Sequence, residues 1–325
     1  MRPTRARRAL VCLTLVAGCK RAPRAIDTAP STTSSVTATA PAPDETQELP
    51  ATPQPRRLAV TNVDDEALLK PHAETLRAHF GARVPPLDVM LAPGIDGRVL
   101  MFLASRAEPP KQLLLVADRR RELLWQKERP LAGTRRGGRF ASISGGPAGD
   151  VVVTWCDEGT GALAARKWEV AGGLMADYQL LPNAGCDSLT SLYWPGVGWV
   201  VVTSLLGVGR AQLLGENGAV RWGREGITIG RGFRTSTPHT LITDSDRSIF
   251  VLGYGYAELG AGDRAIAWRV SSDGRVLARL ELGEAPKGEA MPPLDATQVE
   301  PGVVRVVWAG QRVDVTSDGQ VRVAR

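Results

Sequence analysis

Between residues 58 and 325 the chain repeats itself roughly every 50 residues, and a repeat of that length limits how apolar surface can be buried. Short β-rich runs recur as Val99-Leu100-Met101-Phe102, Val151-Val152-Val153, Val200-Val201-Val202, Ile249-Phe250-Val251 and Val303-Val304-Arg305-Val306, with starts 52, 49, 49 and 54 residues apart. Each run follows another strand-like stretch and a tight turn: Pro93-Gly94-Ile95-Asp96-Gly97, Gly146-Pro147-Ala148-Gly149-Asp150, Pro195-Gly196-Val197-Gly198, Asp244-Ser245-Asp246-Arg247 and Pro301-Gly302. Gly, Pro and Asp supply the backbone angles that turns demand. Two further stretches follow each run around a hairpin. Four of these hairpins read Ala171-Gly172-Gly173, Glu216-Asn217-Gly218, Ser272-Asp273-Gly274 and Ser317-Asp318-Gly319. Asn-Gly and Asp-Gly are strong hairpin signals. The unit is therefore four antiparallel strands, expected near 82–133, 134–182, 183–232, 233–285 and 286–325. A lone four-stranded sheet buries one face, whereas radial stacking of neighbours buries both.

This organisation resembles a β-propeller over nearly all of 82–325. The resemblance implies an all-β fold of five four-stranded blades, with six blades, the first irregular, as the alternative. A Trp recurs in the outer half of units one to four: Trp125, Trp168, Trp222 and Trp268. Glu122-Leu123-Leu124-Trp125 and Gly218-Ala219-Val220-Arg221-Trp222 are similar to the strand-end Trp of quinoprotein-type (PQQ-like) propeller repeats, without the Thr-Gly that usually precedes that Trp. Read without the resemblance, these Trp residues are packing between blades. Ahead of the units, 58–63 reads as a strand that completes a blade or closes the ring. Residues 64–80 read as one short helix with Leu68, Leu69, His72, Leu76 and Phe80 on one face, Asp64 or Asp65 as N-cap and Gly81 as the stop.

The first 57 residues have a different character. Arg2, Arg5, Arg7 and Arg8 precede an apolar run, 9–18, that spans only about 15 Å as a helix. That is half a bilayer core, the length of a signal-peptide core rather than a membrane span. The run ends Leu15-Val16-Ala17-Gly18-Cys19, which resembles the bacterial lipobox. The resemblance implies removal of 1–18, a thioether-linked diacylglycerol on Cys19, and attachment to the membrane through that lipid alone. Lys20 after the Cys, rather than Asp, implies the outer membrane. Residues 19–57 form a Pro-, Thr- and Ala-rich tether: 20–57 hold seven Pro, seven Ala and ten Ser or Thr. A segment of this composition does not bury enough surface to fold, and it extends up to roughly 100 Å.

The basic balance is an N-terminal property. The chain has 40 Lys and Arg against 34 Asp and Glu, but 58–325 holds 31 against 30. No net basic field argues for nucleic acid. After processing two Cys remain, Cys156 and Cys186, in an exported and oxidising setting. Cys156 ends a second strand and Cys186 enters unit three, two places that share one end of a propeller, so a disulfide is expected; two buried thiols are the alternative.

Aligned at the starts of their first strands, the units bring four chemistry-bearing side chains to one channel mouth: Asp88, Asp187, His239 and Asp295. Three readings stay open. Paired carboxylates serve carbohydrate hydrolysis, as in five-bladed glycosidases, although no clear equivalent of their proton donor is present. A ring of oxygen ligands holds a hard cation such as calcium. Otherwise Asp at a strand start satisfies local N–H groups. No other metal or cofactor is called for. Loops at the same end carry Arg135, Arg136, Arg231 and Arg234, and the long 253–264 loop carries Tyr254 and Tyr256. Arg with Tyr is the composition of a surface for protein or glycan partners. There is no phosphate loop and no Gly-x-Ser-x-Gly elbow. The reading is a monomeric, lipid-anchored envelope protein whose propeller binds or scaffolds a partner, with an envelope carbohydrate hydrolase as the alternative.

Overall fold

The fivefold period becomes five antiparallel sheets. The computed structural model describes residues 56–324 apart from 108–109, 132–140, 158, 170, 185, 232–239, 245–246, 257–262, 288–290 and 292–293. Strand β1 (Arg56–Val60) and helix α1 (Ala73–Phe80) come first. Blade one is β2 (Leu87–Pro93), β3 (Val99–Ser105), β4 (Gln112–Ala117) and β5 (Leu123–Glu128). Blade two is β6 (Ala141–Gly145), β7 (Val151–Cys156), β8 (Leu163–Trp168) and β9 (Leu174–Leu181). Blade three is β10 (Ser188–Trp194), β11 (Gly198–Leu205), β12 (Val208–Gly215) and β13 (Ile227–Arg231). Blade four is β14 (Thr240–Thr243), β15 (Ser248–Tyr256), β16 (Asp263–Ser271) and β17 (Val276–Glu284). Blade five is β18 (Asp295–Glu300), β19 (Val303–Trp308), β20 (Gln311–Thr316) and β21 (Val321–Val323). The fold is a five-bladed β-propeller. The second-to-third and blade-to-blade connections share its upper end; the first-to-second turns and third-to-fourth hairpins share its lower end.

Burial follows from stacking. The middle strands are apolar on both faces, so β4, β7 and β11 are buried almost throughout. Separate cores lie between blades one and two, two and three, three and four, and four and five. The Trp residues do pack between blades: Trp168, Trp222 and Trp268 are buried in these cores. A repeated contact closes each interface. The hairpin glycine of one blade presses its bare Cα side onto the outer edge of the blade before it: Gly172 onto Trp125, Gly218 onto Tyr178, Gly274 onto Trp222 and Gly319 onto Leu280.

Blade one departs from this pattern at both of its free surfaces. Its hairpin, Asp118 to Glu122, has no glycine, and Arg121 there donates to the Ala67 carbonyl at 2.9 Å. Its outward face is covered by Leu69, Leu76 and Phe80 of the preceding segment, where another blade would otherwise pack. The helix is shorter than the expected 64–80. Pro71 sits at the start of a single 3-10 turn, Lys70–His72, and α1 begins only after it. A proline has no N–H to donate within a helix, so it is placed at a helix start and not inside one. Asp64 does not cap the helix; it pairs with Arg77 at 2.6 Å. Gly81 ends it, with φ +110 and its N–H on the Arg77 carbonyl.

Strand β1 does not complete a separate blade. It pairs antiparallel with β2, Arg56 opposite Leu91 and Val60 opposite Leu87, as a fifth strand on the inner edge of blade one. Arg57 reaches on to the Ala141 carbonyl of blade two. An unpaired inner edge would expose a row of N–H and C=O groups, which β1 covers.

In blade three the Glu216-Asn217-Gly218 hairpin closes on one bridge, Leu214 to Val220, and the fourth strand resumes only at Ile227. The buried Gln212 side chain fills the gap. Its amide donates to the Leu180 and Gly223 carbonyls at 3.1 and 2.7 Å, and its oxygen accepts from Trp222 N–H at 3.1 Å.

Candidate functional site

The upper end carries the expected carboxylates at the starts of first strands, each in its own local arrangement. Asp88 is the second residue of β2, and Arg106 beyond β3 donates to its Oδ1 from Nη2 at 2.6 Å and from Nε at 3.1 Å. Both side chains are more than half exposed. Asp187 precedes β10; its Oδ2 accepts the Leu206 N–H at 2.8 Å and its own N–H donates to Ser204 at 2.7 Å. It thereby braces the tight β11–β12 hairpin, where Leu206 and Gly207 take left-handed angles of +49 and +76. Asp295 opens β18, exposed, opposite Val307. Of the three, two carboxylates are engaged, Asp88 by a side chain 18 residues on and Asp187 by a backbone N–H 19 residues on. Among the described residues no three metal-ligating side chains group as a metal site. His239 lies outside the described residues, as do Arg135, Arg136 and Arg234.

Two expectations about this end need correction. First strands line the channel only where nothing is added inside them; at blade one the innermost strand is β1, and Asp88 stands opposite its Ala59. Tyr254 is not a loop residue. Strand β15 runs to Tyr256 and β16 starts at Asp263, and the Tyr254 ring is fully buried between blades four and five. Burial pushes its phenol up to about 12. The Gly-rich 253–256 stretch reads as loop in sequence, but cross-strand pairing to Asp263, Arg264, Ala265 and Ile266 holds it extended. Tyr256, two residues on, is 38% exposed, and Arg231 at the end of β13 is exposed.

Cys156, the last residue of β7, and Cys186, just before β10, are neighbours. Their Cα atoms are 6.2 Å apart and their sulfurs touch. That separation is within the range a disulfide spans. Thr203 Oγ1 adds a contact to Cys186 Sγ at 3.4 Å.

Sequence reading missed a polar seam at the lower end between blades two and three. The Lys167 ammonium is almost wholly buried, 2.8 Å from Asp150, 3.2 Å from the Glu216 carbonyl and 4.7 Å from the Trp199 ring centre. The signal was a charged pair, Arg166-Lys167, inside a strand that is otherwise sheltered on both sides. It missed also a hydroxyl cluster on the inner strands: Ser191 N–H and Oγ both reach Ser142 Oγ at 2.9 Å. A cleft of 240 Å³ opens at the outer rim where the fourth strand of blade three is interrupted, between Gln179, Leu180 and Pro182 on one side and Val220, Gly223 and Arg224 on the other.

Neither a family model nor a curated protein matches this chain. Solved structures of similar shape include the β-propeller domain of the Trilobed protease from Pyrococcus furiosus, at 11% identity and a TM-score of 0.38, covering 73% of this chain and 75% of that one. The lectin of Aleuria aurantia, described as a six-bladed β-propeller, matches at 10% identity and 0.36, covering 74% and 91%. A protein of unknown function from Bacteroides caccae matches at 12% identity and 0.38, covering 72% and 80%. An acylaminoacyl peptidase is matched over 33% of its own length.

Proposed function

We propose that this chain is a lipid-anchored protein of the cell envelope whose propeller presents its upper end to a protein partner. The observation that carries the reading is the order of parts in one chain. An Arg-rich segment, a short apolar run ending Leu15-Val16-Ala17-Gly18-Cys19, and a Pro- and Thr-rich tether lead into a propeller with four stapled interfaces. Acyl chains at Cys19 give the stable attachment that one chain alone does not. The described residues hold no helix long and apolar enough to cross a membrane. A Cys156–Cys186 disulfide would fit an oxidising compartment and would stabilise the fold by about 3–4 kcal/mol for a loop of this size. Among the described residues Asp88 is engaged by Arg106 and Asp187 by the Leu206 N–H, which supports this reading over carbohydrate hydrolysis.

Two measurements test it. Mass spectrometry of the N-terminal peptide from cells should find it begin at Cys19 and carry acyl chains; a peptide starting elsewhere without lipid overturns the anchor. Crosslinking in intact envelopes should join a stoichiometric protein partner to peptides of the upper-end loops. Loss of that crosslink in an Arg231→Glu, Tyr256→Ala variant is the expected result, and an unchanged crosslink overturns the assignment of that end.

A further inference from the structure

Two features at the lower end are unused by anything described above. The residue that opens each fourth strand is apolar and exposed at Leu123, Leu174, Val276 and Val321, and in blade three the same place is taken by Val220 of the single bridge before the strand. Each stands opposite the end of its blade's third strand, so the five occupy one station around a single rim. Leu174 is 60% exposed and is followed by Met175 at 51%. Scattered exposed apolar side chains are ordinary on a protein surface. One per blade at the corresponding station is a pattern that repeats with the blades rather than scatter, most exposed at Leu174 and Met175.

The second feature is where the chain enters. Arg56 pairs with Leu91, near the first-to-second turn of blade one, and β1 runs from there toward the upper end. Residues 1–55, with Cys19 among them, therefore join the fold at the same end that carries the apolar rim.

We propose that this lower end docks on the surface of a lipid bilayer, with the rim side chains entering the interface. The orientation rests on the lipid-anchor reading; the docking itself rests on the rim. In three of the five blades a guanidinium flanks the apolar position: Arg275 precedes Val276, where it pairs with Asp273 at 2.8 Å, and Arg221 and Arg322 follow Val220 and Val321; in blade one Glu122 precedes Leu123. Long basic side chains beside apolar ones suit the headgroup boundary, where the stem is buried and the charge meets anionic headgroups. A tether that reaches up to roughly 100 Å would by itself leave the propeller free to turn. Docking fixes it with the upper end directed away from the membrane.

The test uses the processed polypeptide from Lys20, made without signal segment or acyl chains, which keeps every described residue. It is floated with vesicles of phosphatidylethanolamine and phosphatidylglycerol. The expected result is that the chain floats, that a Leu174→Glu, Met175→Glu variant with unchanged thermal unfolding loses about tenfold in bound fraction, and that Leu206→Glu at the upper end loses nothing. A chain that stays unbound, or a rim variant that floats as the parent does, overturns the proposal. So does a rim variant whose chief change is a smaller particle by light scattering, since the rim then joins copies of the chain. Absence of lipid on Cys19 in cells overturns the anchor alone, while flotation of the unlipidated chain still supports docking.

Discussion

The Arg269 guanidinium lies 2.9 Å from Asp244, a carboxylate with no exposed surface, and reaches past it to the Ser317 carbonyl of the next blade. Lys167 does the same two blades earlier, pairing with Asp150 and reaching the Glu216 carbonyl. The two cations occupy one station, opposite Val152 in β7 and Phe250 in β15. Each thus ties the first-to-second turn of its own blade to the hairpin of its neighbour. Removing one partner of a buried pair strands the other charge, at a cost of about 3–5 kcal/mol. Arg269→Met should lower unfolding stability by an amount in that range, and Arg269→Met with Asp244→Leu by much less. Urea unfolding of the four proteins in the cycle checks this; equal losses in single and double variants would contradict the clamp.

Gly274 shows what the hairpin glycine does. At φ +85 an added Cβ would sit 2.9 Å from the Trp222 ring, which is itself held by a hydrogen bond from Nε1 to Ser272 at 3.1 Å. Gly310 has a similar φ of +79 with nothing within 4 Å. Alanine at either site costs about 1–2 kcal/mol for the left-handed backbone. Gly274→Ala should lose about 1–3 kcal/mol more, because the indole is driven out of place. Matching denaturation midpoints for the two variants would show that the hairpin does not bear on its neighbour.

Tyr254 is buried, and its hydroxyl has no hydrogen-bond partner among the described residues. A buried donor without a partner costs about 1–3 kcal/mol relative to an apolar group of the same shape. Tyr254→Phe should therefore raise thermal stability, and a fall in melting temperature would reveal a partner for the hydroxyl.

Arg166 grips Asp177 with two parallel bonds of 2.5 and 2.6 Å. The hydrogen bond from Arg166 is the main reason the Asp177 carboxyl sits below its ordinary range; partial burial opposes this and the guanidinium charge assists it. A depressed folded value stabilises the fold above the ordinary aspartate value near 3.8, and that contribution is lost as pH falls through the lower folded value. Asp177 is 54% exposed, so solvent screening keeps the effect small. Melting temperatures followed from neutral pH down through the aspartate range should fall less steeply in Arg166→Met than in the parent. Parallel curves would rule the pair out as a source of acid sensitivity.

The blades were legible because their signals are local. Turn glycines with positive φ, such as Gly97, Gly149 and Gly196, stand where Gly and Pro clusters interrupt apolar runs. The channel-mouth residues were legible only as positions. Asp88 and Asp187 are where the repeat places them, but Arg106 and the Leu206 N–H, which occupy those carboxylates, come from the following loop and are set by its geometry. Tyr254 was misread because Gly253 and Gly255 mimic loop composition, and nothing in a short window reveals that β16 will pair along them. The apolar rim was present in the sequence as the residue after each hairpin. Its exposure was not, since strand-starting Leu and Val usually go inside.

By itself the sequence determined the four-stranded repeat and its turns, because φ requirements at Gly, Pro and Asp and the lengths of apolar runs act over a few residues; five blades rather than six was decided by the structure. It also determined that the sheets had to stack, since no four-stranded unit buries both faces alone. Only the tertiary structure decided that β1 would line the inside of blade one, that α1 would cover its outward face, and that Lys167 and Arg269 would be buried as clamps. Those outcomes depend on which surfaces, distant in sequence, exclude water from each other and satisfy each other's polar groups, and that balance is struck only when the blades meet.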